Sequence, residues 1–290
     1  MDPRSAGYCL PVTSAIERFH RLDRPAKAAG AKVRDLLPAG GLKDAVSGTW
    51  LGHPLHPLLT DLVIGSLVSA SLVDVLAPRS GAKAAERLIA VGIAAAVPTA
   101  ITGASDWADT ELSDPGSRRV GVVHAATNVV AQVLYAASLA ARLRGRHGRG
   151  RLLALAGAGV LGGAGYLGAH MSYAAGVGVN QTAFDTGSTQ WTDVMAGADL
   201  AEGRPHAVEA EGTPVLLLRS EGAVYAIDDR CSHRGCLLSD GELERNVVMC
   251  GCHGSRFDVR DGTLLRGPAI TGQPAFDTRD NGGRIEIRRR

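Results

Sequence analysis

Two short clusters of cysteine and histidine near the C-terminus carry the side chains best suited to chemistry. The first reads Cys231-Ser-His-Arg-Gly-Cys236 and the second reads Cys250-Gly-Cys-His253. Each cluster offers a thiol and an imidazole within a tight loop, and the segment between them is long enough for a hairpin that brings the loops together. Two thiolates and two imidazoles can bind a metal centre.

Two kinds of centre accept two cysteines and two histidines. Zinc is one, but zinc motifs usually keep the paired cysteines together and the paired histidines together. Here each loop is mixed, which favours a two-iron, two-sulfur cluster with two thiolates on one iron and two imidazoles on the other. Zinc remains the alternative.

Both clusters, together with Gly267-Pro-Ala269, resemble the three loops of Rieske iron-sulfur proteins. The resemblance covers roughly residues 191–290 and implies an all-β domain. Short β-rich runs separated by turn signals in this region agree with that fold. The resemblance also implies which residues bind the two irons, the cysteines on one and the histidines on the other: Cys231, Cys250, His233 and His253.

The histidines would set the redox behaviour of such a cluster. Neutral imidazoles in place of two thiolates leave the cluster less negative, so that it accepts an electron more easily. Rieske potentials lie at roughly −150 to +300 mV, against about −400 mV for plant-type ferredoxins. An imidazole on iron can also couple electron uptake to proton uptake near neutral pH, which suits quinol chemistry.

Further residues refine the resemblance. Cys236 and Cys252 match the pair that forms a disulfide in cytochrome bc type Rieske proteins, although two buried thiols are the alternative. Ser255 matches the serine that hydrogen-bonds a cluster sulfur and raises the potential. Phe257 stands where high-potential members carry tyrosine, which predicts a potential below the top of the range. Arg234 is more typical of Rieske ferredoxins.

The N-terminal part of the chain is apolar and rich in Ala and Gly. Four segments, approximately residues 55–76, 88–105, 120–141 and 152–170, contain no Lys or Arg, and each is near the length of about 20 residues that crosses a bilayer. A soluble helical bundle is the alternative to membrane spans. The sequence predicts a multi-domain chain, an all-α four-helix transmembrane bundle followed by an all-β Rieske iron-sulfur domain.

The sequence Leu51-Gly-His-Pro-Leu-His-Pro57 at the entry to the first segment resembles a family of predicted four-helix membrane proteins without an assigned function. This resemblance covers roughly residues 33–180 and implies a membrane location. It supplies no chemistry.

If the four segments are antiparallel, four histidines lie at the same side of the membrane. The C-terminal domain follows the fourth segment on that side. Facing imidazoles can fill both axial positions of a b-type haem, and they can also serve as hydrogen-bond partners of a quinone. In the plainest alternative, the first two only orient the first helix at the interface. The candidates for haem or quinone binding are His53, His56, His124 and His170.

The sequence divides the chain into four parts. Residues 1–52 are predicted to form an N-terminal amphipathic segment at the membrane interface. The transmembrane domain covers 53–170, a flexible linker covers 171–190, and the Rieske domain covers 191–290. Cys9 has no partner visible in the sequence.

Basic residues give an expected orientation. The loops on the face away from the histidines are rich in arginine, which predicts that this face is cytoplasmic and that the Rieske domain is extracytoplasmic. A disulfide between Cys236 and Cys252 agrees with that location. The basic N-terminal stretch, which this topology places outside, argues against it, as does the lack of a secretory or twin-arginine signal.

The sequence therefore predicts an integral protein of a prokaryotic-type plasma membrane that passes electrons from a membrane quinol or haem to a soluble acceptor. Its predicted partners are the lipid bilayer and a redox partner protein or quinone. The alternatives are a ferredoxin-like electron-delivery module for an oxygenase or reductase, and a redox sensor. No catalytic triad, phosphate-binding loop or nucleic-acid-binding patch stands out, so the chain is expected to be an electron-transfer component rather than a stand-alone enzyme.

Overall fold

The chain folds into two units, seen in a computed structural model that describes residues 11–110, 114–185 and 187–290. One unit comprises the chain up to Leu36 together with Leu55–Val177, and the other comprises Leu37–Pro54 and Gly178–Arg290. The chain therefore passes from one unit to the other three times. Cys9 lies outside the described residues.

The first unit is helical. Two short helices precede four long ones, and a π-helical turn, His170–Ala174, ends the last. The helix α3 (Gly41–Ser47) belongs to the second unit. The helices of the first unit are α1 (Pro11–Glu17), α2 (Asp23–Leu36), α4 (Leu55–Leu76), α5 (Ala82–Thr110), α6 (Pro115–Leu143) and α7 (His147–Ala169).

The four long helices are long and apolar enough to cross a membrane, with mean hydropathies of 1.4 to 1.8 over their most apolar windows. This confirms the four apolar helices predicted from the sequence. They expose large aliphatic side chains that would be unfavourable in water and are typical of a surface facing lipid. Examples are Leu58, Leu62, Leu72, Val97, Val129, Val133 and Leu152.

The interior of the helical unit contains a buried ion pair that the sequence did not reveal. Helix α6 extends beyond the predicted segment, and Arg142 in its last turn forms an ion pair with Asp74 of α4. Both residues are 3% exposed. Nearby, the hydroxyls of Tyr135 and Ser71 lie 2.9 Å apart in a hydrogen bond. Each charge of this pair thus has a partner of opposite sign.

The second unit is built on two antiparallel sheets. One has six strands in the order β1-β10-β9-β4-β3-β2, and the other has four in the order β5-β6-β7-β8. The strands are β1 (Thr192–Ala196), β2 (Pro205–Ala210), β3 (Thr213–Ser220), β4 (Ala223–Asp228), β5 (Glu242–Glu244), β6 (Val247–Met249), β7 (Arg256–Asp258), β8 (Leu264–Arg266), β9 (Ala275–Asn281) and β10 (Arg284–Arg289).

Strand β3 shows why the sheets pack as they do. Its central run of aliphatic residues alternates between two buried clusters: Leu216 and Leu218 join a core with Phe257, whereas Val215 and Leu217 join one with Phe276. A strand that is apolar on both faces must be covered on both faces. The connections β4–β5, β6–β7 and β8–β9 leave this framework as the three motif-bearing loops.

Residues 178–190, predicted to belong to a flexible linker, make contacts with the β unit. The backbone N–H of Gln181 donates to the carbonyl of Ser232 at 3.0 Å, and Asp185 lies 3.6 Å from Arg230 in an ion pair. The segment Leu37–Pro54 also belongs to this unit, whereas the sequence had placed residues 37–52 in an interfacial segment and the last two in the transmembrane domain. Side chains of both segments are therefore part of the β unit.

Candidate metal centre

The two cysteine-histidine loops are closed by the same pattern of backbone hydrogen bonds. In the first, the N–H of Cys231 donates to the carbonyl of Cys236, and the N–H of Gly235 donates to the carbonyl of Cys231, both at 2.8 Å. In the second, Cys250 donates to Ser255 at 2.8 Å and Gly254 donates to Cys250 at 2.9 Å. The cysteine–histidine spacings differ, Cys-x-His against Cys-x-x-His, yet the backbone turns that present these side chains are closed in the same way.

Each loop needs its glycine. Gly235 has a φ of 76° and Gly254 a φ of 80°, in the left-handed region that residues with a side chain rarely adopt. This backbone turn lets the chain reverse within five residues after the leading cysteine. The glycine of each sequence motif thus occupies the one position in its loop where the backbone turn needs a positive φ.

The leading cysteines of the two loops lie close together inside the unit. Cys231 is 1% exposed and Cys250 is 2% exposed, and neither forms a disulfide. Hydrogen bonding with Cys250, together with burial, raises the pKa of the Cys231 thiol. The same hydrogen bond lowers the pKa of Cys250. Two reduced sulfur atoms therefore converge at one buried point.

The two histidines converge as well. The rings of His233 and His253 have centroids 4.9 Å apart and meet edge to face at 88°. Both residues are half-buried. Burial lowers the pKa of His233 well below its ordinary value, and the charges of Arg234, His253 and Lys43 act in the same direction. A neutral imidazole is the form that binds metal.

A disulfide joins the two loops. Cys236 and Cys252 are bonded through their sulfur atoms at 2.07 Å, as the resemblance implied. The sulfurs of Cys236, Cys250 and Cys252 all lie within 4.8 Å of one another. Because two of these sulfurs are in the disulfide, Cys250 supplies the one thiol of this group.

The third loop packs on the second. It contains a cis peptide bond between Gly267 and Pro268, and the backbone N–H of Ala269 donates to the Ser255 hydroxyl at 2.9 Å. Ser255 is fully buried, as is Phe257, whose ring belongs to the core beside Cys231 and Cys250. The serine and phenylalanine singled out in the sequence thus lie next to the cysteine pair.

This donor set fits a two-iron, two-sulfur cluster with mixed ligation. Two unbridged, buried thiols and two imidazoles at contact distance come from two loops of equivalent geometry. One thiol and one imidazole per loop is the arrangement that places sulfur ligands on one iron and nitrogen ligands on the other. Two buried thiols that lie close together without forming a disulfide are typical of a metal site.

The histidines of the helical unit occupy separate environments. The Nδ1 of His56 lies 3.0 Å from the Thr99 carbonyl, and the Nδ1 of His124 lies 2.8 Å from the Ala164 carbonyl. The Nε2 of His170 is 2.9 Å from a carboxylate oxygen of Glu17. His53, the fourth candidate, belongs to the other unit and is exposed.

Sequence reasoning missed that residues 39–49 contact the third loop. They lie almost two hundred residues upstream of the cysteine loops, in a polar helix whose pattern also fits an interfacial location. In the structure, Thr49 donates a hydrogen bond to the carbonyl of Ala269 at 3.2 Å. No periodicity or motif signals a long-range contact of this kind.

Two families match the chain, one for each region. Residues 190–277 match the Rieske [2Fe-2S] domain, and residues 52–181 match a family described as a predicted membrane protein, DUF2231. Both agree with the resemblances seen in the sequence.

Individual proteins match the C-terminal region. The ferredoxin component of a naphthalene 1,2-dioxygenase system from Pseudomonas aeruginosa is 34% identical over 98 residues, which cover 34% of this chain and 94% of that protein. Sulredoxin of Sulfurisphaera tokodaii is 30% identical, over 33% of this chain and 96% of its own length.

Among solved structures, the ferredoxin of carbazole 1,9a-dioxygenase from Nocardioides aromaticivorans IC177 matches 35% of this chain and 99% of its own, with 29% identity and a TM-score of 0.34. The chain thus spans nearly the full length of the two sequence relatives. Together with the family matches and the geometry of the two loops, they show that the chain belongs to the Rieske [2Fe-2S] family, with its Rieske domain fused to a DUF2231 predicted membrane domain.

Proposed function

We propose that this protein is a membrane-anchored electron carrier whose cluster is held by the cysteine and histidine of each loop. Cys231 and Cys250 would bind one iron, and His233 and His253 the other. The observation that carries the proposal is the convergence of two buried, unbridged thiols and two contacting imidazoles from loops with the same hydrogen-bond closure. When bound, a cluster of this type accepts and releases one electron at a moderate potential.

The surrounding residues have supporting roles in this proposal. The disulfide of Cys236 and Cys252 holds the two loops together while the ligands stay in place. The hydroxyl of Ser255 accepts the N–H of Ala269 and is left to donate its own proton toward the cluster. Burial of both cysteines excludes water from the sulfur side, which favours electron transfer without side reactions.

On the donor side, we propose a quinol or a b-type haem associated with the helical unit. His56 and His124 support this idea, because an Nδ1 next to a backbone carbonyl must carry the proton and so leaves the lone pair on Nε2. The Nε2 of His124 accepts a hydrogen bond from the Asn128 amide at 3.2 Å, which a ligand would have to replace. Such a nitrogen could accept a hydrogen bond from a quinol hydroxyl or bind an iron. His170 and His53 remain weaker candidates, since Glu17 occupies the Nε2 of His170.

The proposed location is the plasma membrane, with the Rieske domain on the extracytoplasmic side. Basic residues in the α4–α5 and α6–α7 connections and in the adjoining helix ends favour a cytoplasmic position for the face on which they lie. They include Arg79, Lys83, Arg87, Arg144, Arg146, Arg149 and Arg151. The disulfide supports an oxidising compartment for the β unit. Lipid would surround the exposed aliphatic side chains of the four long helices.

A second candidate function is electron delivery to an oxygenase or reductase, and it is favoured by the relatives. The Pseudomonas aeruginosa protein is the ferredoxin component of a dioxygenase system, and Phe257 and Arg234 also distinguish this chain from high-potential members. In this case the electron donor would be a soluble reductase rather than a quinol. A redox sensor is a third candidate.

One experiment separates the first two candidates. The purified full chain in detergent is mixed with a reduced short-chain quinol, and the cluster signal is followed by electron paramagnetic resonance. The proposal predicts stoichiometric reduction that is lost in His124→Ala, while His147→Ala, whose imidazole lies at the opposite end of the bundle, keeps it. Reduction by a flavin reductase with NADH but not by quinol would instead favour the delivery role.

The side of the membrane is tested by protease accessibility. Intact cells and spheroplasts are treated with a protease, and the Rieske domain is detected with an antibody against a C-terminal tag. Cleavage in spheroplasts without lysis supports the extracytoplasmic location. Protection until the membrane is broken would place the domain in the cytoplasm.

A further inference from the structure

A short upstream segment packs on the loops that hold the proposed cluster. We call residues 39–51 the cap. It contains α3 and a 3-10 turn, Thr49–Leu51, and belongs to the same unit as the Rieske domain. The hydroxyl of Thr49 donates to the carbonyl of Ala269 at 3.2 Å. The N–H of that same residue binds Ser255, so one residue of the third loop connects the cap to the cluster loops.

The fit between cap and loops is close. A Cβ atom added at Gly267 would lie 2.1 Å from the Thr49 hydroxyl and 3.0 Å from a carboxylate oxygen of Asp44. A Cβ added at Gly254 would lie 3.0 Å from the Cβ of Ala39. Gly254 directly follows His253 in the chain. The cap therefore covers the end of the Rieske domain at which the imidazoles lie.

The cap contains a buried lysine. Lys43 is 4% exposed, and lysine is almost never buried so fully unless it is paired. It lies in α3, the helix of the segment that packs against Gly254 and Gly267. Burial raises the pKa of the neighbouring Asp44 carboxyl, while Arg266 and the N–H of Gly267 act in the opposite direction. A buried cation therefore belongs to the segment that covers the imidazole side of the centre.

We propose that the cap is a built-in part of the redox centre and that the buried ammonium of Lys43 raises the reduction potential of the cluster. Reduction adds one negative charge, and a cation in a water-poor environment stabilises that charge more strongly than a cation at the surface. The inference rests on the proposed function, because it needs the cluster at these loops. It assigns to the cap a role that the relatives, which match only the C-terminal region, cannot supply.

The test is a redox titration of the full chain in detergent, with the cluster signal followed by electron paramagnetic resonance. Lys43→Met removes the charge and keeps an unbranched apolar side chain. We expect the equilibrium with a mediator to shift about tenfold toward the oxidised cluster, which corresponds to about 59 mV for one electron. Lys43→Arg should restore the potential. Lys32→Met, at an exposed position of α2, is the matched control and should not change it.

A second variant keeps the inference testable if Lys43→Met does not retain the cluster. Thr49→Val keeps the volume and the charge but removes the hydrogen bond to Ala269. We expect faster amide hydrogen exchange over residues 41–47 and a smaller shift of the potential in the same direction. An unchanged potential in Lys43→Met, or unchanged exchange and potential in Thr49→Val, would overturn the inference and leave the proposed function standing. A wild-type chain without any cluster would overturn both.

Discussion

The backbone N–H of Ala269 donates a hydrogen bond to the hydroxyl oxygen of Ser255 at 2.9 Å, and it fixes the orientation of that hydroxyl inside the Rieske domain. Ser255 is fully buried, and its own carbonyl accepts the N–H of Cys250. The hydroxyl therefore keeps its own proton to donate to another acceptor. Through this hydrogen bond the third loop contacts the second, which carries Cys250.

Replacing Ser255 with alanine should lower the reduction potential. The variant removes a donor that stabilises the more negative reduced cluster, and we expect a shift of about tenfold in the redox equilibrium, or about 59 mV. Spectroelectrochemical titration measures the shift. Ser239→Ala, whose hydroxyl binds Asp229 instead, is the control and should keep the wild-type potential. A Ser255→Ala potential equal to wild type would show that the hydroxyl does not reach the cluster.

Removing the disulfide should destabilise the cluster loops. The bond joins residues that are 16 apart in sequence, and closing a loop of that length is worth about 3 kcal/mol. We expect the double variant Cys236→Ser, Cys252→Ser to lose its visible absorption at a lower denaturant concentration than wild type. Incubation with a thiol reductant should have the same effect on wild type and none on the variant. Equal midpoints for both proteins would contradict this role.

Asp228 should contribute to the pH dependence of the free energy of unfolding. Burial, together with the nearby Asp185 carboxylate, raises the pKa of Asp228 to about 7. The folded state therefore binds more protons than the unfolded state between about pH 4 and pH 7. Stability from this group is full below the unfolded pKa and is lost as the pH rises through the folded one. We expect Asp228→Asn to weaken the fall in denaturation midpoint between about pH 5 and pH 7.5.

Asp258 provides the matched control for that experiment. Hydrogen bonding from Arg260 lowers the pKa of Asp258, so its contribution is present at neutral pH and lost as the pH falls in the acid range. Asp258→Asn should therefore reduce stability at neutral pH and leave the slope between about pH 5 and pH 7.5 unchanged. An unaltered slope in Asp228→Asn would show that its carboxyl titrates normally.

The ion pair of Asp74 and Arg142 should stabilise the folded helical unit. Both side chains are almost fully buried, and removing one partner from a buried pair costs about 3–5 kcal/mol because the other charge is left alone. We expect Asp74→Asn to lower the thermal midpoint of the protein in detergent. The double variant Asp74→Leu, Arg142→Leu should recover most of the loss. A double variant no better than Asp74→Asn would argue for a role beyond charge compensation.

Much of the centre could be predicted from the sequence, because its parts are local. The Cys-x-His and Cys-x-x-His spacings, Gly235 and Gly254 each belong to a turn of a few residues. The disulfide was implied by the resemblance and is present in the structure. The four long apolar helices follow from composition and length alone, and the structure places them where the segments were predicted.

The remainder depends on contacts between distant parts of the chain. The ion pair of Asp74 with Arg142 arises because α6 continues past its apolar segment, and helix ends are poorly defined by hydropathy. The cap lies in a polar stretch, where amphipathic periodicity fits a membrane interface and a protein surface equally well. Neither Lys43 nor Thr49 belongs to a recognisable motif. Only the close packing of Gly267 against Thr49 and of Gly254 against Ala39 shows that this stretch covers the loops.

The central claim, a cluster held half by sulfur and half by nitrogen, is tested most directly by metal analysis with pulsed electron paramagnetic resonance. Purified full-length protein should contain iron and acid-labile sulfide in equal amounts, and its reduced form should show hyperfine coupling to two imidazole nitrogens. His253→Ala should remove one coupling. Zinc in place of iron, or a cluster without nitrogen coupling, would contradict the account.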